Sequence, residues 1–99
     1  SALPTRDARR GRLYLFTDAS SRPTADQKGW FRFLYVTDDK HIKASEPISE
    51  FCDCLTCQNY SRGYLHHLYK SNDATFMRLA TIHNLRFMVQ LMDRLRLET

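Results

Sequence analysis

An α+β fold with one β-hairpin and two helices is predicted by three features of this sequence. Two aromatic runs of strand length come first, a helical period takes over after residue 56, and between them all the cysteines fall in one turn, "FCDCLTC" at 51–57. Strands grouped before helices, rather than alternating with them, are the pattern of an α+β architecture.

The chain opens on a basic arm. Residues 1–16 carry Arg6, Arg9, Arg10 and Arg12 against Asp7 alone, which makes this stretch the first candidate for contact with an anion. "GRLYLF" at 11–16 and "GWFRFLYV" at 29–36 are aromatic and branched, each opening on glycine, and both read as strands. The polar segment at 17–28 that joins them is long for a hairpin loop and is expected to be mobile. A further polar stretch leads through Pro47 into the cysteine turn.

From there Tyr60, Tyr64, Leu65, Leu68 and Tyr69 recur at spacings of three and four, which predicts a helix over 56–70, weakened at Gly63 by about 1 kcal/mol relative to alanine. "SND" at 71–73 stops it and offers an N-cap to the next. The second helix, 74–97, sets Phe76, Leu79, Ala80, Ile82, Leu85, Met88, Val89, Met92 and Leu95 against outward arginines, a stripe wide enough to demand burial. Packed as an antiparallel pair, the two helices bring His83 back to the level of the cysteine turn.

The cysteines exclude a disulfide framework. Their number, three, is odd, and Cys52 and Cys54 are too close along the chain to bridge without strain. With no apolar leader or membrane-length run, a reducing, cytoplasmic setting is expected. A divalent metal explains the crowding, because it holds several thiolates together where like charges otherwise repel; three sulfurs leave tetrahedral zinc one ligand short. Of the four histidines, His41 lies in the polar "TDDKHIKAS" and is expected at the surface. His66 and His67 are adjacent and on a helix point about 100° apart, so at most one can face a metal. His83 sits on the apolar stripe of the second helix and is the expected fourth ligand.

At 99 residues the chain is one domain or part of one, and a structural metal would help so short a chain to fold. Its 42% hydrophobic and 26% charged content argue against wholesale disorder, and a net charge of +4 does not by itself imply nucleic acid.

"CDCLTCQNYSRGYLHHLYK" followed by "LATIHNLRFMVQLMDRLR" resembles the C-terminal zinc region of the tRNA-guanine transglycosylases, the queuine tRNA-ribosyltransferases. In that family a Cys-x-Cys-x-x-Cys turn and a later histidine hold one structural zinc, and the resemblance carries those roles onto Cys52, Cys54, Cys57 and His83. Four protein ligands close the coordination sphere. Asp53 and Thr56, inside the turn, are expected to hydrogen-bond backbone or sulfur. "PTRDAR" at 4–9 is similar to the family segment that follows its catalytic aspartate, and Arg6 and Arg9 match two arginines that contact the anticodon base beside the exchanged one. Arg10 and Arg12 match no assigned role. The stretch 36–51 lacks the basic, Asn-Ala-containing sequence usual in the family.

The resemblance implies a base-exchange glycosyltransferase on a TIM-like barrel. An aspartate attacks the ribose of the wobble guanosine, and queuine or a precursor base replaces guanine through a covalent intermediate. The nucleophile is expected just before Ser1, so no residue of this chain is assigned a catalytic role and the chain alone is expected to be inactive. Residues 1–50 are then the basic arm and hairpin from the end of the barrel, and 51–99 the zinc turn with its helical pair. Implied partners are tRNA, the rest of the barrel and a second subunit of a homo- or heterodimer, with an exposed stripe of Tyr60, Tyr64, Phe87 and Met88 as a partner surface. The alternative is a free-standing zinc module that binds RNA or protein without chemistry.

Overall fold

The computed structural model describes residues 2–21, 23 and 29–96. The basic arm is a helix: α1 runs Ala2–Arg9, followed by strands β1 (Arg12–Phe16) and β2 (Phe31–Tyr35), a 3₁₀ turn (Asp39–His41), and helices α2 (Leu55–Asn59), α3 (Arg62–Lys70) and α4 (Ala74–Arg96). The α+β class stands, with β1 and β2 antiparallel from Arg12 opposite Tyr35 to Phe16 opposite Phe31. None of the described helices is long and apolar enough to cross a membrane.

β1 is buried on both faces, and the pleat divides its side chains between two clusters. Leu13 and Leu15 join Ala8, Leu34, Val36 and Ile48 in a core that continues through Cys54 and Cys57 to Leu65, Leu68, Phe76, Leu79 and Ala80. Tyr14 and Phe16 turn the other way onto Phe87 of α4, with Phe16 and Phe87 stacked at 4.4 Å between ring centroids. α4 therefore spans the molecule and touches α1, β1, α2 and α3.

The helix predicted over 56–70 is two helices. Cys54 caps α2 by accepting the Cys57 N–H on its sulfur, Tyr60 is extended (φ −133, ψ 143), and Ser61 restarts the helix by accepting from Tyr64 N. The break has a use. It lets Arg62 N and Gly63 N donate to the carbonyls of Glu46 (2.9 Å) and Ala44 (3.0 Å), so the first turn of α3 is satisfied by the 44–46 loop. Gly63 is what allows that approach: a Cβ there would meet the carbonyl oxygens of Ala44 and Ile42 at 2.8 and 2.9 Å. Gly63→Ala is therefore expected to destabilise by about 2 kcal/mol despite the better helix propensity of alanine. A denaturation midpoint equal to or above that of the parent would contradict the reading.

"SND" behaves as predicted. Asn72 takes the left-handed conformation (φ 54), Asp73 N and Asn72 N close a Schellman motif on the Leu68 and Tyr69 carbonyls, and the Asp73 carboxylate accepts from Thr75 N at 2.9 Å to cap α4. The expected mobility of the 17–28 loop falls partly on 22 and 24–28, outside the described residues. At its start, Ser21 Oγ donates to Trp30 O at 2.7 Å, and the Arg94 guanidinium, lying over the Phe16 ring, donates to the carbonyls of Asp18 and Ser21.

Candidate metal centre

Two elements deliver the cluster. The turn before α2 and its first turn supply Cys52, Cys54 and Cys57, and α4 supplies His83, two turns after its entry into the core. Thr56 registers the two helices, its buried hydroxyl donating to Leu79 O at 2.7 Å, one helical turn before the histidine. The four ligand atoms lie within 4.8 Å of one another, compact enough for one ion to touch all of them. His83 Nδ1 is 3.7, 3.5 and 3.3 Å from the sulfurs of Cys52, Cys54 and Cys57. Cys54, Cys57 and His83 are buried and Cys52 is half-buried, and all three cysteines are free of disulfides.

The orientation of His83 is fixed from behind. Its Nε2 lies 2.5 Å from Tyr14 O, and a carbonyl only accepts, so the ring proton sits on Nε2 and the Nδ1 lone pair faces the sulfurs. Electrostatics favour a cation among these groups. Burial alone disfavours a charged imidazole, but Cys52, Cys54 and the Tyr14 carbonyl outweigh it and raise the pKa of His83 to about 9. Hydrogen bonds from Cys52 and Cys57 hold the Cys54 thiol far below its usual range, whereas the same neighbours push Cys57 up. Three buried thiolates repel one another, and a divalent cation in place of their protons removes the conflict.

The other histidines are elsewhere. His66 is buried with Nδ1 donating to Val36 O at 3.0 Å and Nε2 3.4 Å from Asp39, and His67 is exposed. His41, expected at the surface, is only 5% exposed, because the Asp38-capped 3₁₀ turn folds it inward against the start of α3. Asp53 departs from expectation too: it bonds neither backbone nor sulfur partners as its main contact but takes the Arg86 guanidinium in a fork, at 2.7 and 3.1 Å, tying the cysteine turn to α4.

Sequence reasoning passed over Asn84. Fully buried beside His83, it accepts from Tyr14 N at 3.1 Å and donates to the carbonyls of Pro4 and Arg12, joining α4 to α1 and β1. Its only trace in the sequence is a polar residue breaking the apolar stripe. Arg6 and Arg9 are both exposed on α1. Arg12 is engaged in the fold, 3.7 Å from Asp7 and above the rings of Phe33 and Tyr35. Asp7 in turn accepts the Tyr14 hydroxyl, whose pKa is raised by burial and by that carboxylate. The four-residue stripe is not a surface: Phe87 is 3% exposed against Phe16, and of the aromatic members only Tyr64, stacked on the partly buried Tyr60, is open.

Residues 1–98 match the family profile described as queuine tRNA-ribosyltransferase. The enzyme of that name from Thermoanaerobacter sp. (strain X514) is 44% identical over 94 residues, 95% of this chain and 21% of its own length. That of Caldanaerobacter subterraneus subsp. tengcongensis is 42% identical over the same share of both chains. A relative from Archaeoglobus fulgidus, provisionally given the same name, is 44% identical over 93 residues, 94% of this chain and 22% of its own length. The chain thus spans about a fifth of the curated relatives that it matches. With the Cys-x-Cys-x-x-Cys turn and its distant histidine converging in space and the family profile running through both, the chain belongs to the queuine tRNA-ribosyltransferase family.

Proposed function

We propose that this chain is the zinc-stabilised part of a tRNA-guanine transglycosylase, which exchanges the wobble guanine of tRNA for queuine or a precursor base. The convergence of Cys52, Cys54, Cys57 and His83 within a family-matched chain carries the reading. Bond lengths of about 2.3 Å to sulfur and 2.0–2.1 Å to nitrogen in a tetrahedral zinc site put nitrogen and sulfur about 3.6 Å apart. The observed 3.3–3.7 Å separations fit that ion. Bound zinc supplies a cross-link between α2 and α4, with all four positions filled by protein. The residues around it set the ligands: Tyr14 O orients the imidazole, Thr56 fixes helix register and Arg86 holds Asp53 between two of the cysteines.

The exchange itself needs a carboxylate nucleophile at the ribose anomeric carbon, then attack of the incoming base on the covalent intermediate. We place that aspartate in the parent enzyme upstream of Ser1, next to α1, so that Arg6 and Arg9 reach the neighbouring anticodon base with forked donors. The parent acts in the cytoplasm, and its second subunit meets the α2–α3 face, where Leu55 and Tyr64 are exposed. The test is exchange of labelled guanine into tRNA. The 99-residue chain is expected to give no turnover, and the parent-length enzyme to give turnover that an aspartate-to-asparagine change abolishes. Turnover by the chain alone would overturn the division of labour.

A further inference from the structure

Beyond α1, the basic side chains of the hairpin and of α3 converge on a second place. A cavity of about 180 Å³ is lined by Arg32 of β2, Lys40 and His41 of the 3₁₀ turn and Arg62 of α3, with Asp38 and Tyr35 at its edge. Among the described residues, Arg32, Lys40 and Arg62 form no ion pair. Arg62 donates only to neutral carbonyls, from Nε to Pro47 O at 2.9 Å and from Nη2 to Ile48 O at 2.8 Å, which fixes its guanidinium without neutralising it. The nearby acids are turned to other work. Asp38 accepts the Lys40 N–H at 3.0 Å, and Asp39 faces His66 and Lys70. His41 adds a ring nitrogen, Nε2, that is buried and without a partner.

Cations gathered without a counter-charge repel one another, and burial together with this repulsion pulls both His41 and Arg62 below their ordinary pKa values. A dianionic or diester phosphate relieves the repulsion and suits the forked donors of Arg32 and Arg62. The surroundings favour the phosphate of a nucleic acid over a small anion. Phe33 and Tyr35 are 42% and 48% exposed on the same hairpin, and Arg12 lies over both rings, which together form a platform of the kind on which bases stack beside a tracked backbone.

We propose that the Arg32–Lys40–Arg62 cavity binds a backbone phosphate of RNA, with an adjacent base on Phe33 or Tyr35, as a contact separate from Arg6 and Arg9. The inference rests on the tRNA reading above and names where the substrate backbone touches this chain. The site lies partly in the stretch that lacks the usual basic family sequence, so it is a local replacement for that sequence.

The test is fluorescence anisotropy of a labelled anticodon stem-loop RNA titrated with the metal-loaded chain. Arg32 and Lys40 are both exposed, so the Arg32→Ala/Lys40→Ala double variant leaves the core intact, which circular dichroism and metal content check. Arg62 is left unchanged because it holds the 47–48 backbone. Loss of two phosphate contacts is expected to weaken binding about tenfold and to reduce the slope of log K against log salt by about 1.5. The Arg32→Lys/Lys40→Arg variant should restore the slope. Unchanged affinity and slope in the alanine variant would overturn the site while leaving the tRNA reading intact. Displacement of the RNA by millimolar inorganic phosphate would mark a small-anion site and overturn the RNA assignment. A wild-type chain that binds no RNA would overturn the inference whatever the exchange assay of the parent enzyme returns.

Discussion

His83→Ala is expected to lose the metal and to lower the thermal midpoint by more than about 15 °C, the equivalent of at least 3 kcal/mol for a domain of this size. The size of the effect follows from three losses at one position: the fourth ligand, the hydrogen bond from Nε2 to Tyr14 O at 2.5 Å, and a side chain only 1% exposed in the middle of α4. Without the imidazole, the three thiolates have no tetrahedral partner and the turn before α2 is released from α4. A second variant separates ligation from packing. His83→Cys still offers a donor to the ion but cannot reach Tyr14 O, so it should retain one metal per chain at reduced stability. Metal analysis together with thermal unfolding reads both variants. An alanine variant that keeps its metal and its midpoint would remove His83 from the site.

Asn84→Ala should destabilise by about 3 kcal/mol with the metal retained, because three backbone groups lose their buried partner at once. Tyr14 N, Pro4 O and Arg12 O come from α1, the turn after it and β1, and no water-accessible face of Asn84 remains to substitute for the amide. The neighbouring ligand comes from the same helix, so the two residues divide the work: His83 fastens α4 to the cysteine turn, and Asn84 fastens it to the N-terminal segment. A lower denaturation midpoint at unchanged metal stoichiometry is the expected signature. Loss of the metal in step with the fold would show that the two attachments are one.

What could be read in advance was what repeats or crowds. Cysteines within six positions need a cation whatever the fold, and the apolar stripe that carries Phe76, Leu79, Ala80 and Phe87 puts His83 inside. The "SND" turn was legible because its residues have few other uses. The break at Tyr60 was hidden, since Tyr60, Tyr64 and Leu68 keep a helical spacing across it and the cap of α2 is a cysteine sulfur, not one of the usual oxygens. His41 was misplaced by the polar company it keeps in sequence, although its burial is set by Gly63 and α3, more than twenty residues on. Asp53 and Asn84 escaped for the same reason. Their partners, Arg86 for one and Tyr14, Pro4 and Arg12 for the other, lie 33 and between 70 and 80 positions away, and no local pattern announces them.

The central claim is that one zinc ion joins the cysteine turn to α4. X-ray absorption at the zinc edge on the purified chain, with its metal content measured on the same sample, tests it most directly. One zinc per chain with three sulfur ligands and one nitrogen ligand is the expected result. A metal-free folded chain, or zinc bound by sulfur and water without a histidine nitrogen, would contradict it.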